Sequence, residues 1–276
     1  MLNAASKFLS LIAIALFMTA CGNGKANRNA AQALLNQAAE AITIGEYSQA
    51  QELLDSMSKT YPKEIELGRQ AMKLRPAIIE GKTIGEIAEK KAELQYLAQF
   101  IDSVSKEFKS VEASKDVFEP YMVHKSVPNN WRDKNTAVSR INPAGDFIVI
   151  SSLAGNKTHH TALRLTSANG VSVTSGTVPF DSSLKLSRES VRFTSEQADT
   201  LGVFAMTIDG GATLDFVGGK KAPSAKLSAK EVKAMASTYK LSKAIRTSQA
   251  SAYRLEQLQA KLQLARDQSA RLNNPE

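Results

Sequence analysis

The sequence contains few of the residues that carry most metal and nucleophile chemistry. Among 276 residues there are one cysteine, one tryptophan and three histidines. The single cysteine, Cys21, excludes a disulfide within the chain. His124 stands alone, and the adjacent His159 and His160 would point to opposite faces of a strand, with no cysteine or carboxylate cluster beside them. We therefore predict no metal site, no cofactor and no catalytic residues.

The sequence also lacks an apolar run long enough to span a membrane. The apolar stretch from Phe8 to Phe17 follows Lys7 and is too short to cross a bilayer, which requires about 20 apolar residues. A positive charge followed by a short apolar run and small residues is typical of a secretory signal peptide. We assign residues 1–20 to such a peptide and exclude them from the fold.

The residues after this stretch contain the only cysteine of the chain. Met18-Thr19-Ala20-Cys21 resembles the lipobox of bacterial lipoproteins, in which a cysteine is acylated and becomes the first residue of the mature chain. The resemblance implies that acyl chains on Cys21 bind a membrane, each contributing about 0.8 kcal/mol per buried CH₂. A buried free cysteine is the alternative.

Residues 21–29 are predicted to form a flexible tether, because they are small, polar and free of acidic residues. In lipoproteins, an acidic residue next to the lipidated cysteine is associated with retention in the inner membrane, and acidic clusters with surface export. The resemblance therefore implies a lipid anchor in the outer membrane that faces the periplasm. The inner membrane and the cell surface remain alternatives.

Residues 30–82 have the apolar spacing of helices. Gly45-Glu46-Tyr47, followed by Ala50 and Tyr61-Pro62, resembles the second helix of a tetratricopeptide repeat. The resemblance covers about one repeat, and an ordinary helical hairpin is the alternative. A third helix is predicted to end before Pro76, because proline disfavours helix in the preceding residue.

Two helical arms are predicted, at residues 83–116 and 228–276, each with a coiled-coil spacing of apolar residues. Thr83 to Glu86 and Ser228 to Glu231 fit capping boxes and predict where the arms start. An antiparallel pair would place residues whose numbers sum to about 340 beside each other, such as Ile101 and Leu241. The C-terminal surplus, including Ala265, is expected to pack on the N-terminal hairpin.

Between the arms, residues 117–221 change to the alternating pattern of strands, with hairpin turns such as Asn169-Gly170. About seven or eight short strands are predicted, as an antiparallel sandwich or half-open barrel. The fold class is therefore α+β: a helical hairpin and an antiparallel coiled-coil stalk, with a β-domain inserted between the arms.

The only tryptophan, Trp131, is a candidate ligand contact within the β-domain. An exposed indole would serve as a platform for a sugar, whereas a buried one would anchor the core. The residue type alone leaves both interpretations open.

Net charge is uneven along the chain. The total is +8, and residues 220–276 contain twelve lysines and arginines against four acidic residues. This basic helix could contact an anionic surface or pair with the acidic first arm; a solvated helix face is the alternative. Nucleic acid is not an expected partner for an exported protein.

Together, these sequence features predict a membrane-anchored, non-enzymatic envelope lipoprotein that acts as an interaction or scaffold protein, with a protein partner in the cell envelope. The alternative is a ligand-binding lipoprotein whose β-domain binds a glycan or a peptide. An enzyme with an unrecognised site is the third possibility.

The lipobox generates a direct test. Cys21→Ser should release the protein from membranes and block its maturation, because the acyl acceptor is removed. Metabolic labelling with a clickable fatty acid measures this: the wild type should carry the label and the variant should not. Equal labelling of both would contradict the lipoprotein assignment.

Overall fold

The computed structural model describes residues 24–115, 117–155, 158–179, 188–219 and 222–273. Cys21 and the predicted signal peptide therefore lie outside the described residues. The chain divides into two compact units. The described residues of the first, which we call the helical unit, are 24–83 and 262–273; the second, the β-unit, is Ile84–Lys261.

The helical unit contains α1 (Gly24–Thr43), α2 (Tyr47–Thr60) and the first part of α3 (Ile65–Ser105). Much of its core is alanine, which lets helix backbones approach closely. Tyr47 lies directly against Gly81, where an added Cβ would stand 2.0 Å from the tyrosine Cζ. The predicted hairpin is confirmed, with a core of Ala31, Leu35, Ala38, Ala41, Ala50, Leu54, Met57, Leu67, Ala71 and Ile78.

The predicted helix boundaries at Pro76 and Thr83 are wrong, because α3 runs without interruption from Ile65 to Ser105. Proline removes one backbone hydrogen bond, but buried Ala71 and Ile78 on either side of it hold the helix in the core. Thr83 does not cap a helix: its side chain is buried, and its Oγ1 has no hydrogen-bond partner among the described residues. Burial of the apolar face therefore overrides both local signals.

The β-unit contains two antiparallel sheets. The six-stranded sheet has the order β1 (Phe108–Val111), β2 (Tyr121–His124), β3 (Thr136–Ile141), β4 (Phe147–Ala154) and β7 (Arg188–Glu189), and β8 (Arg192–Phe193) also pairs with β4. The four-stranded sheet has the order β10 (Ser224–Leu227), β9 (Ala212–Val217), β5 (Ala162–Ser167) and β6 (Ser172–Thr174). Within the described ranges the strands form two sheets and no closed barrel, which confirms the predicted α+β class.

One segment predicted as a strand is helical. The alternation of Phe204, Met206 and Ile208 in the sequence predicts a strand, but Phe204 lies in the last turn of α4 (Ser195–Ala205) and Met206 is its C-cap. The sequence Thr194 to Gln197 predicts a cap followed by one helical turn; the capping box is present, but the helix continues for 11 residues. It continues because apolar residues at helical spacing face the core: Ala198, Leu201 and Ala205.

The core of the β-unit extends beyond the predicted limits of 117–221. Strands β1 and β10 pair with β2 and β9, and the first turns of α5 (Ala229–Asn273) complete the core. Val232, Met235 and Tyr239 of α5 join the buried cluster of both sheets. Gly202 of α4 packs so closely on α5 that an added Cβ would stand 2.4 Å from Cδ2 of Tyr239.

The start of the second arm and its antiparallel pairing with α3 are confirmed. The Glu231 carboxylate accepts a hydrogen bond of 2.8 Å from the Ser228 backbone, as a capping box requires. In the β-unit, Leu241 is buried in a cluster with Ile101, Val104, Phe108, Ile141, Met122 and Ile245. Glu86 and Arg254, whose numbers sum to 340, form an ion pair of 3.6 Å.

The first arm is shorter than predicted at its C-terminal end. Helix α3 stops at Ser105, and Phe108 and Val111, which fitted the coiled-coil spacing, belong to strand β1. In the helical unit, the surplus of the second arm is packed as expected: Ala265 is buried, and Arg266 Nε lies 2.8 Å from Glu80 Oε1.

Candidate functional site

A cavity of about 200 Å³ lies on the outer face of the six-stranded sheet. The strand register explains why. Ser139 and Ile141 of β3 point inward to the core. Successive side chains of a strand alternate between its two faces, so Val138 and Arg140 point outward. Outward-facing residues of four strands and a neighbouring loop line the cavity: Lys109, Val111, Tyr121, Val123, Val127, Pro128, Asn129, Trp131, Arg132, Val138, Arg140 and Ile150.

One wall of the cavity is a short 3-10 turn, Trp131–Asp133. Hydrogen bonds fix it to the sheet: Ser152 Oγ donates to the Arg132 carbonyl at 2.8 Å, and Arg188 Nη2 donates to the Lys134 carbonyl at 2.7 Å. Trp131 is only 9% exposed. The tryptophan therefore borders the cavity with little exposed surface, and Arg132 lies over its ring, so the indole does not present an open platform.

Cationic side chains dominate the polar part of the cavity. The Arg140 guanidinium lies 4.5 Å above the Tyr121 ring, and that of Arg132 lies 4.8 Å from the Trp131 ring. The Nε of Arg140 is buried and has no hydrogen-bond partner in the described part of the chain. Lys109 Nζ donates to Asn129 Oδ1 at 2.8 Å.

The electrostatic environment of Arg140 favours an added negative charge. Burial, followed by the neighbouring Arg192, lowers the pKa of the Arg140 guanidinium, against the opposing effects of Tyr121 and Glu119. Glu119 is already paired with Arg192 at 3.0 Å. Within the part of the chain that the structure describes, the cavity lining includes no acidic side chain. The arrangement can therefore bind an anionic group beside an apolar one.

A second polar constellation was missed by sequence reasoning. Ser151 Oγ lies 2.7 Å from His160 Nε2, and His160 Nδ1 lies 2.8 Å from Glu189 Oε2. The Glu189 carboxylate also accepts hydrogen bonds from the backbone N–H groups of Thr158 at 2.8 Å and His159 at 2.9 Å. The three side chains come from β4, the segment before β5, and β7, so no local spacing indicates their contact.

The order serine, histidine, carboxylate matches that of hydrolase triads, but substrate cannot reach these atoms as the structure places them. Ser151 and His160 are 0% exposed and Glu189 is 3% exposed. Ser151 Oγ also accepts a hydrogen bond of 3.0 Å from the Val191 N–H. Histidines without metal-ligand neighbours in the sequence, such as His159 and His160, are predicted to lie in a polar loop, and for His160 this prediction is wrong because its side chain is buried. The chain of hydrogen bonds joins three segments of the β-unit.

Burial lowers the pKa of His160, although Glu189 acts in the opposite direction. Burial alone would raise the pKa of Glu189, but hydrogen bonds from the His159 backbone, the His160 ring and backbone, and the Thr158 backbone outweigh it and lower this pKa. Glu189 is thus ionised and His160 neutral near neutral pH. His160 Nδ1–H then donates to Glu189, and the Ser151 hydroxyl donates to His160 Nε2.

A scan against protein-family models and searches of curated proteins and of solved structures found no match. The described residues contain no group of three or more histidine, cysteine, aspartate or glutamate side chains that could hold a metal ion. Of the two residues singled out in the sequence, Trp131 borders the cavity, and Cys21 lies outside the described residues.

The Ser151–His160–Glu189 chain predicts acid sensitivity of the fold. Because the folded-state pKa of His160 is below its ordinary 6.5, its contribution is complete above pH 6.5 and is lost as pH falls towards the folded value. The folded-state pKa of Glu189 is also below its ordinary 4.5, so the stability that this residue contributes is lost as the pH falls below 4.5. Urea unfolding should therefore give a lower free energy of unfolding at pH 5.5 than at pH 7.5.

The matched variants are His160→Gln and His124→Gln. His160→Gln should be less stable at pH 7.5, by about 1–3 kcal/mol for the disrupted buried hydrogen bonds, and its stability should change less between pH 7.5 and 5.5. His124→Gln leaves the buried His160 in place, so its free energy of unfolding should fall between pH 7.5 and 5.5 as that of the wild type does. An unchanged pH dependence in His160→Gln would contradict this assignment.

Proposed function

We propose that the protein is a membrane-anchored, non-enzymatic interaction protein of the cell envelope, held by lipid on Cys21 and using its β-unit to bind another envelope protein. The lipobox resemblance supports an outer-membrane anchor facing the periplasm. No helix among the described residues is long and apolar enough to cross a membrane.

The single observation that carries the binding role is the cavity beside Trp131. Its volume of about 200 Å³ is below the roughly 300–1,000 Å³ of typical small-molecule sites. The cavity therefore suits one group of a larger partner better than a complete small ligand.

The alternative function, binding of a glycan or peptide by the β-unit, draws on the same cavity. Between these ligands, the burial of Trp131 favours a peptide, because a sugar that stacks on indole needs an exposed ring face. The apolar floor of Val123, Val138 and Ile150 also suits an apolar side chain.

The proposed contact between the basic C-terminal helix and an anionic surface has less support. Several of its cations already pair with carboxylates: Arg246 with Asp199 at 3.1 Å, Arg254 with Glu86, and Arg266 with Glu80. The pair with Glu86 favours the alternative in which the basic helix pairs with the acidic first arm, whereas Asp199 and Glu80 lie outside that arm.

In-cell photocrosslinking tests the binding role. The photoreactive residue p-benzoylphenylalanine in place of Asn129, which borders the cavity, should give discrete protein adducts after irradiation. The same residue in place of Asn169, an exposed asparagine near the β5–β6 turn, is the matched control and should not give those adducts. Absence of adducts from position 129, together with saturable sugar binding by the full chain on a glycan array, would favour the glycan alternative instead.

A further inference from the structure

We propose that the cavity beside Trp131 binds the C-terminal residue of a partner polypeptide, with its carboxylate on Arg140 and its apolar side chain on the valine floor. This inference rests on the proposed function, in which the β-unit binds a protein. It adds the chemical class of the group that is recognised.

The charge of the site selects an anion. Arg140, Arg132 and Lys109 border the cavity, and none of the described residues that line it is acidic. Arg192 is a further cation close enough to lower the pKa of Arg140. Glu119 acts on this pKa in the opposite direction, but its carboxylate already pairs with Arg192 Nη2 and accepts a hydrogen bond from Asn142 Nδ2. A bound anion would relieve the repulsion between neighbouring arginines.

The geometry of Arg140 favours a carboxylate. A guanidinium is planar and offers its N–H groups as a fork that matches a carboxylate. The Arg140 Nε is buried and lacks a hydrogen-bond partner among the described residues, so the hydrogen-bonding capacity of this guanidinium is not fully satisfied. The Tyr121 ring lies against the guanidinium at 4.5 Å and fixes its plane.

The remainder of the cavity is apolar and would bind an apolar group attached close to that anion. Val123 lies opposite Arg140 in the sheet register, and Val138 lies opposite Ile150. Free phosphate or sulfate would leave this floor uncovered. A C-terminal residue carries its carboxylate and its side chain on the same Cα atom, so it can present both within about 200 Å³. An acidic side chain in mid-chain would need room for backbone on both sides.

The only tryptophan of the chain supplies a single reporter. In the full chain purified in detergent, the indole N–H resonance of Trp131 is followed while N-acetyl-L-leucine is added. We expect a saturable shift. N-acetyl-L-leucinamide, which has the same side chain and no charge, should give none. Sulfate and glucuronate, as probes for a bare anion and an acidic sugar, should bind at least about tenfold more weakly.

Three variants locate the effect. Arg140→Gln should weaken N-acetyl-L-leucine roughly tenfold to hundredfold, as expected for a lost charge-assisted hydrogen bond. Arg140→Lys, which keeps the charge without the planar fork, should bind with intermediate affinity. Arg164→Gln, at an exposed arginine of the four-stranded sheet, should bind as the wild type does. Thermal unfolding of each variant establishes that it is folded.

Each other outcome overturns the inference. Equal binding of the amide would mean that the cavity recognises only the apolar group, and equal binding of sulfate would mean a general anion site. Binding of glucuronate alone would indicate an acidic glycan. Protein adducts at position 129 without any response to N-acetyl-L-leucine would refute C-terminal recognition and leave the interaction function standing.

Discussion

The two sheets of the β-unit depend on one constraint: their core is completed by α5, the helix that follows the last strand in the chain. Val232, Met235 and Tyr239, in the first turns of α5, lie in the same buried cluster as the two sheets and α4. Gly202 is essential for this approach, because no space exists for a side chain between α4 and Tyr239. The two sheets therefore cannot be separated from α5 without exposing their core.

The same packing determines which face of the six-stranded sheet can bind. The inner face is filled by Phe147, Val149 and Phe193 against the other elements. Alternation then directs Val138, Arg140 and Ile150 outward, where the loop carrying Trp131 forms one wall. A half-buried arginine beside apolar residues is costly without a partner, and this is the physical reason to expect an anionic ligand there.

Sequence patterns predicted the features that depend on long, regular spacing. Coiled-coil spacing placed Ile101 near Leu241, because a seam can bury its apolar residues in few registers. Alternation and turn residues predicted the strand region. Local signals failed where burial outweighed them: Pro76 does not end α3, and Thr83 does not cap it.

The candidate site was less predictable than the fold. Trp131 could be singled out by its type, but Arg140 becomes notable only when the register sets it beside Val123 and Tyr121. His160 meets Ser151 and Glu189 only after strands distant in sequence pair within one core. Such contacts leave no spacing within a single chain segment that could reveal them.

The antiparallel pairing of α3 and α5 is tested most directly by crosslinking. Cysteines in place of Glu86 and Arg254, whose side chains are 3.6 Å apart, are introduced on a Cys21→Ser background and treated with a short bismaleimide. Cysteines at Glu86 and Glu256 are the control, since position 256 lies on another face of α5. The structure predicts a crosslink within one molecule for the first pair and a much weaker one for the control. Crosslinks formed only between molecules would mean that the arms dimerise, and would contradict this fold.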